Sequence, residues 1–243
     1  MGRLRRGSRG ETVTDGFIRV HNHPKNALYH SRRLLRDELL RFAPDVKGRL
    51  LDFGCGAQPY RCLFPGATLY IPVDVPGSCH KLPNGTVLFD GTALPVRPNS
   101  LDWVLATEVL EHVPEPQLAL TAVFESLRPG GRLALSVPFI HPVHEAPQDF
   151  RRWTQYGLAR ELAQAGFSSV QITPLGAWHT TVAHLLRVYA ASLRAPRLLR
   201  WSAIRIVWVV SEVIVRSPIS ALDDMCIGWV VLAKKPTRCG PSL

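Results

Sequence analysis

The run Leu51-Asp52-Phe53-Gly54-Cys55-Gly56 ends an apolar stretch on two glycines one residue apart, and Asp74 follows Asp52 by 22 residues. Glycine at the first position permits a tight turn, and glycine at the second lets the backbone approach a ligand closely. A carboxylate about 20 residues further on, closing the next strand, is placed to accept hydrogen bonds from ribose hydroxyls. The chemistry this spacing could support is nucleoside binding. The third glycine of a dinucleotide fingerprint is missing, because the run continues Ala57-Gln58-Pro59, so the loop lacks the form that cradles a pyrophosphate. A nicotinamide-dependent oxidoreductase is therefore disfavoured, though it stays an alternative. A bare Gly-x-Gly also occurs in ordinary turns, and Asp74 could simply cap its strand.

A second constellation follows at residues 138–154, where His141, His144, Glu145 and Asp149 fall within nine residues. Imidazole is the side chain best suited to take a proton near neutral pH. His144 is the first candidate for a general base and Asp149 its partner. The alternative is that His144 and Arg152 only brace the loop and the helix cap at Thr154. No metal is expected, since two histidines three apart in a proline-broken loop share no helical face and no second cluster completes a shell. Cys55 reads as a small buried residue rather than a nucleophile. The five cysteines include no CxxC pair and read as free, reduced thiols.

These groups need strands to carry them. Arg49–Phe53, Thr68–Asp74, Thr86–Asp90, Leu101–Ala106, Arg132–Val137, Ser169–Ile172 and Cys226–Ala233 read as seven β-strands. Helical periodicity marks 26–42, which Pro44 stops, and 116–127. Thr154 reads as the N-cap of a helix running to Ala165, with Gly166 as its stop. Pro129-Gly130-Gly131 reads as a turn. Strands alternating with helices predict an α/β, Rossmann-like, doubly wound and mostly parallel seven-stranded sheet, with ligands at the carboxyl ends of the strands. Residues 178–224, rich in Leu, Ile, Val, Trp and Arg, form a helical insertion before the last strand. The expected organisation is a basic arm at 1–25 and one domain at 26–243.

The ordered motifs Leu51–Gly56, Asp74, Phe89–Asp102, Thr107-Glu108-Val109-Leu110-Glu111-His112-Val113 and Leu127–Gly131 resemble those of class I S-adenosylmethionine-dependent methyltransferases, most nearly the broad type 11 group. The resemblance implies that Asp52, Gly54, Cys55 and Gly56 hold the methionine part of the cofactor and Asp74 the ribose hydroxyls. It implies Asp90, with Gly91 and Thr92, at the adenine amino group, and Thr107 with Glu108 at the sulfonium end. S-adenosylmethionine carries a positive sulfonium, a diol and an amine but no phosphate, so carboxylates suit it. His112 reads as an orienting group rather than a base, and Asp102 as a strand cap. The reaction implied is O-methylation of a small-molecule, sugar or lipid-linked acceptor, residues 144–167 resembling methyltransferases of sugar and cell-envelope biosynthesis. A non-enzymatic binding protein on the same fold is the further alternative.

Charge distribution agrees with a cationic ligand. The 243 residues carry a net charge of +10, but residues 1–49 hold +7, residues 50–150 hold −5 and residues 151–243 hold +8. A nucleic-acid enzyme would line its centre with Lys and Arg, so nucleic acid is an unlikely partner, and the base-flipping motif of some RNA methyltransferases is absent after strand four. With 46% hydrophobic residues the chain can bury a core. No signal-like apolar run follows the basic N-terminus, which predicts a cytoplasmic protein. The most hydrophobic stretch, Trp201–Val215, contains Arg205 and Glu212 and is too short and charged to span a bilayer. Arg beside Trp on an apolar helix suits an interfacial segment, so 178–224 is expected to be a lid, a homodimer contact or a peripheral membrane contact.

Overall fold

The structure, a computed structural model, describes residues 26–89, 94–216 and 225–237. The arm at 1–25, the Asp90-Gly91-Thr92 positions and residues 217–224 of the insertion lie outside the described residues.

Seven strands form one sheet in the order β3-β2-β1-β4-β5-β7-β6. They are β1 (Gly48–Phe53), β2 (Ala67–Asp74), β3 (Val87–Leu88), β4 (Leu101–Thr107), β5 (Leu127–Pro138), β6 (Ser168–Leu175) and β7 (Gly228–Lys234). β1 pairs in parallel with β2 and β4, and β4 in parallel with β5; β7 runs antiparallel between β5 and β6. The order reverses between β1 and β4, and the crevice at such a switch point is where open α/β sheets bind ligands. Register brings the strand ends level there, with Phe53 opposite Val73 and Thr107 opposite Ser136.

Alternation along β1 divides its side chains between two cores. Leu51 and Phe53 pack with Leu120 and Val123 of α2 (Pro116–Ser126) and Leu158 and Leu162 of α3 (Gln155–Gln164). Leu50 packs on the opposite face with Leu35, Leu39 and Phe42 of α1 (Tyr29–Phe42), whose spacing puts them on one helical stripe. Proline at the first position of α2 uses a fixed φ that a helix start requires. As expected, Thr154 caps α3, its Oγ1 accepting from Gly157 N at 3.2 Å. Gly166 ends the turn after it at φ +97°.

Two local expectations are corrected. Pro129-Gly130-Gly131 is not a free turn but lies within β5, where the pairing with β4 shifts register. Gly130 N donates to Lys235 O and Lys235 N to Gly131 O, so the segment after β7 captures these groups and extends the strand. The third strand shrinks to Val87–Leu88, and a single 3-10 turn, Arg61–Leu63, is the only helical element described between β1 and β2.

The insertion forms α4 (Trp178–Ser192) and α5 (Arg197–Val215) between β6 and β7. Arg187, one of the insertion's arginines, is buried. Its guanidinium donates to Ser211 Oγ at 2.6 Å and Glu212 Oε1 at 2.7 Å, tying α4 to α5.

Candidate functional site

At the carboxyl ends of β1, β2, β4 and β5 two cavities of ≈ 300 and ≈ 470 Å³ adjoin, sharing Gly54, His80, Glu108 and Glu145 in their walls. The first reaches Arg32 of α1, Tyr60, His141 and His144, and the second is lined by Asp74, Phe89, Val109 and His112.

The glycine turn is built as the sequence requires. Gly54 has φ +67° and Gly56 φ +48°, and a Cβ on Gly54 would stand 2.5 Å from Val109 Cγ2. Gly54 N and Cys55 N both donate to Val73 O, folding the turn against β2. Asp74, 5% exposed, completes the closure: its Oδ2 accepts from Gly56 N at 2.7 Å and its Oδ1 from Val75 N at 2.8 Å. The carboxylate therefore does both things the sequence offered, ending β2 and lining the larger cavity.

Asp52 is placed differently. Alternation puts it on the α1 face with Leu50, where its carboxylate accepts the Tyr70 hydroxyl, and it lines neither cavity. Burial raises its carboxyl to about 7 against the pull of that hydroxyl, with the charge of Asp74 adding to the rise. Cys55 is buried, and burial pushes its thiol up to about 12 with help from Asp52 and Asp74, which suppresses thiolate chemistry.

At the end of β4, Thr107 lines the smaller cavity and Glu108 both. Glu108 takes φ +53°, its N donates to Ser136 O, and its Oε1 accepts from Ser136 Oγ at 2.9 Å. Burial raises its carboxyl, and Ser136, Arg32 and Arg152 oppose the rise. On the acceptor side Asp149, with a side chain 2% exposed, takes two bonds from Arg152, 2.5 Å from Nη1 and 2.8 Å from Nη2. The Arg152 guanidinium holds the Asp149 carboxyl well below the usual range. Asp149 Oδ2 also accepts from His144 N at 2.9 Å and lies 3.2 Å from His144 Nδ1. His144, Asp149 and Arg152 thus form one unit. Burial lowers His144 below its ordinary value, as does nearby His112.

Asp102 is a structural cap: it accepts from Arg49 N at 2.7 Å and pairs with Arg128. His112 orients the loop, with Nδ1 2.7 Å from Gln148 O. Sequence reasoning missed Arg32 and Ser31, which α1 brings to the smaller cavity, and the fully buried Glu111 between His112 and His144. A polar stripe on α1 beside its apolar one was the signal for Arg32.

The residues fit S-adenosylmethionine. A glycine cradle that a Cβ would obstruct, a buried carboxylate opening on one cavity and acidic side chains in the walls suit a cationic, diol-bearing ligand without phosphates.

Comparison with known proteins accords with the geometry. Residues 27–173 match the family described as Methyltransferase domain. The O-methyltransferase cnsE of Penicillium expansum is 30% identical over 167 residues, which are 59% of this chain and 60% of that protein, so the match spans well under two thirds of the relative's length. Among solved structures, the [4+2]-cyclase SpnF superposes with a TM-score of 0.57 at 20% identity, over 89% of this chain and 86% of that one. A SAM-dependent methyltransferase from Archaeoglobus fulgidus gives 0.55 at 18% identity, over 84% and 94% respectively. At such identities the superpositions speak for the fold, and the family match covers more than half of the chain. The chain belongs to the methyltransferase domain family, with the class I fold and S-adenosylmethionine as its cofactor.

Proposed function

We propose that this methyltransferase acts on a hydroxyl oxygen of a small-molecule or lipid-linked acceptor, bound in the smaller cavity against His144. The observation that carries the reading is His144 in the wall of the smaller cavity, held by Asp149, whose Oδ2 accepts from His144 N at 2.9 Å and lies 3.2 Å from His144 Nδ1. The likeness to an O-methyltransferase supports the same choice of atom.

S-adenosylmethionine, when bound, supplies an electrophilic methyl group on a sulfonium. Asp74 would hold its ribose hydroxyls, with the Gly54–Gly56 turn, Thr107 and Glu108 at its methionine end. Asp149 positions His144 through its backbone N–H, and Arg152 keeps Asp149 ionised. Glu108, held by Ser136, places its carboxyl in the wall that would face the sulfonium. Arg32 and Tyr60 close the cavity from α1 and the loop after β1, excluding water from the reacting oxygen.

The surface of α5 supports a lipid boundary as the acceptor's source. Leu199, Ile206, Val210 and Val213 fall at helical spacing and are exposed, with Arg200, Arg205 and Arg216 nearby. Apolar groups flanked by cations favour an anionic bilayer surface. No helix among the described residues is long and apolar enough to cross a membrane.

The test is incubation of the full chain with S-adenosylmethionine and a panel of phenols, sugars and lipid extracts, presented with and without anionic vesicles. A mass gain of about 14 Da, one CH₂, on an oxygen is expected, with His144→Ala slower by about 10²–10⁴-fold. Methylation confined to nitrogen or sulfur, or a His144→Ala variant as fast as the parent, would refute the assignment.

A further inference from the structure

Glu111 lies in the 3-10 turn Leu110–His112 after β4, with its side chain fully buried. Neither of its carboxylate oxygens has a hydrogen-bond partner among the described residues. His112 Nε2 stands 3.7 Å and His144 Nε2 3.8 Å from the same oxygen, Oε1.

The far nitrogen of each ring is already committed. His112 Nδ1 lies 2.7 Å from Gln148 O, which can only accept, so Nδ1 carries the proton. His144 Nδ1 is occupied as well, lying 3.2 Å from Asp149 Oδ2 and 3.5 Å from Arg152 Nη2. Both Nε2 atoms thus face the buried, unpartnered Glu111 carboxyl. The three ligand atoms lie within 4.8 Å of one another, and a proton or a cation held among them would satisfy all three. Imidazoles whose outer nitrogen is anchored on a carbonyl or carboxylate are the usual form of metal-binding histidines.

We propose that Glu111, His112 and His144 bind a divalent cation through the Glu111 carboxylate and the two Nε2 atoms, at the boundary of the two cavities. Ligands about 2.1 Å from a tetrahedral ion stand about 3.4 Å apart, so the 3.7 and 3.8 Å separations need to close by only a few tenths of an ångström. Glu145, with Oε2 4.0 Å from His112 Nε2, supplies a further oxygen from the opposite loop. Two imidazoles with carboxylates select a transition ion such as Zn²⁺, Mn²⁺ or Fe²⁺ over Ca²⁺.

The inference rests on the O-methylation reading and changes one step of it. A cation that binds the hydroxyl oxygen lowers that group's own pKa. His144 is then a ligand, the hydroxyl proton passes to water, and its electron pair stays on the oxygen.

The test uses the full chain stripped with a chelator and titrated with Mn²⁺, free ion being followed by its electron paramagnetic resonance signal, with Zn²⁺ as competitor. One saturable site per chain is expected, weakened about tenfold or more in Glu111→Gln and in His144→Ala. Thermal melts confirm that both variants fold, and the neutral isostere Glu111→Gln keeps the side-chain shape if His144→Ala does not. Absence of saturable binding up to about 1 mM overturns the site. Loss of binding in His80→Ala but not in Glu111→Gln also overturns it, placing the ion at the exposed Cys79, His80, Glu145 group instead. Cofactor binding measured on the same samples separates the two readings: binding of S-adenosylmethionine without Mn²⁺ sinks only the cation site, and Mn²⁺ binding without S-adenosylmethionine sinks the reaction.

Discussion

Replacing Asp74 by Ala removes the carboxylate that closes the Gly54–Gly56 turn onto β2. Its two hydrogen bonds are unequal. The Oδ1 bond is local, to Val75 N, and Val75 is 41% exposed, so that N–H can turn to water at small cost. The Oδ2 bond is buried and joins positions 18 apart, at 2.7 Å from Gly56 N. A hydrogen bond to a charged partner contributes about 1.5–3 kcal/mol. That is the free energy lost from holding Gly56 where a ligand must approach, before any contact with ribose is counted. The expected loss of affinity for S-adenosylmethionine is therefore at least about 10- to 150-fold. Asp74→Asn keeps one acceptor for the two N–H groups and should fall between parent and Asp74→Ala. Isothermal titration with S-adenosylhomocysteine, a non-reacting ligand, reads the affinity directly, with a thermal melt showing that each variant is folded. A folded Asp74→Ala variant binding within about threefold of the parent would refute the reasoning at its root, since neither the turn nor the diol could then depend on this carboxylate.

Two further outcomes follow from the same turn and its surroundings. Gly54→Ala should destabilise the protein by about 1–2 kcal/mol for the left-handed backbone and a further 1–3 kcal/mol or so for the clash with Val109; Gly85→Ala, at φ +85° with nothing within 4 Å of the added Cβ, should show only the first part, and equal losses in urea melts would discount the clash. Asp52, with its carboxyl raised to about 7, favours the protonated folded state. Its buried charge opposes folding fully above pH 7, and that penalty is relieved as pH falls from 7 toward 4, because the folded state gains a proton that the unfolded chain does not yet hold. Asp52→Asn should accordingly melt above the parent at pH 8 and lose that advantage toward pH 5. A difference independent of pH would show the group ionised throughout.

Residues acting along one strand were legible, and residues acting between loops were not. Period-two alternation and glycine punctuation mark β1, β4 and the turn at Gly54, because a buried strand and a left-handed turn restrict residue type locally. Asp74 was legible for the same reason, as the last residue of a strand whose partner ends in that turn. Alternation could also have placed Asp52: it shares the α1-facing side of β1 with Leu50, where Tyr70 holds it, so the motif position alone overstated its reach. The extension of β5 through Gly130 depends on Lys235, more than a hundred residues away, and no local pattern contains it.

Charge follows the same division. Arg187 reads as a surface cation until Glu212 is known to lie across from it, and Glu111 reads as one acid of a polar run until burial removes every donor from it. Both are placed by packing between elements rather than within one. This is also why the acidic middle of a basic chain carries information that the net charge does not. Of its carboxylates, Asp102 is neutralised by Arg128 and Asp149 by Arg152. Asp74, Glu108 and Glu145 stand in the cavity walls, and Glu111 is buried beside His112 and His144. Carboxyl groups outside those two arginine pairs, gathered where the strand order reverses, are what a sulfonium and a metal ion both require. Exchanging Glu111 for Gln tells the two apart, since it should release the cation and leave cofactor affinity in place.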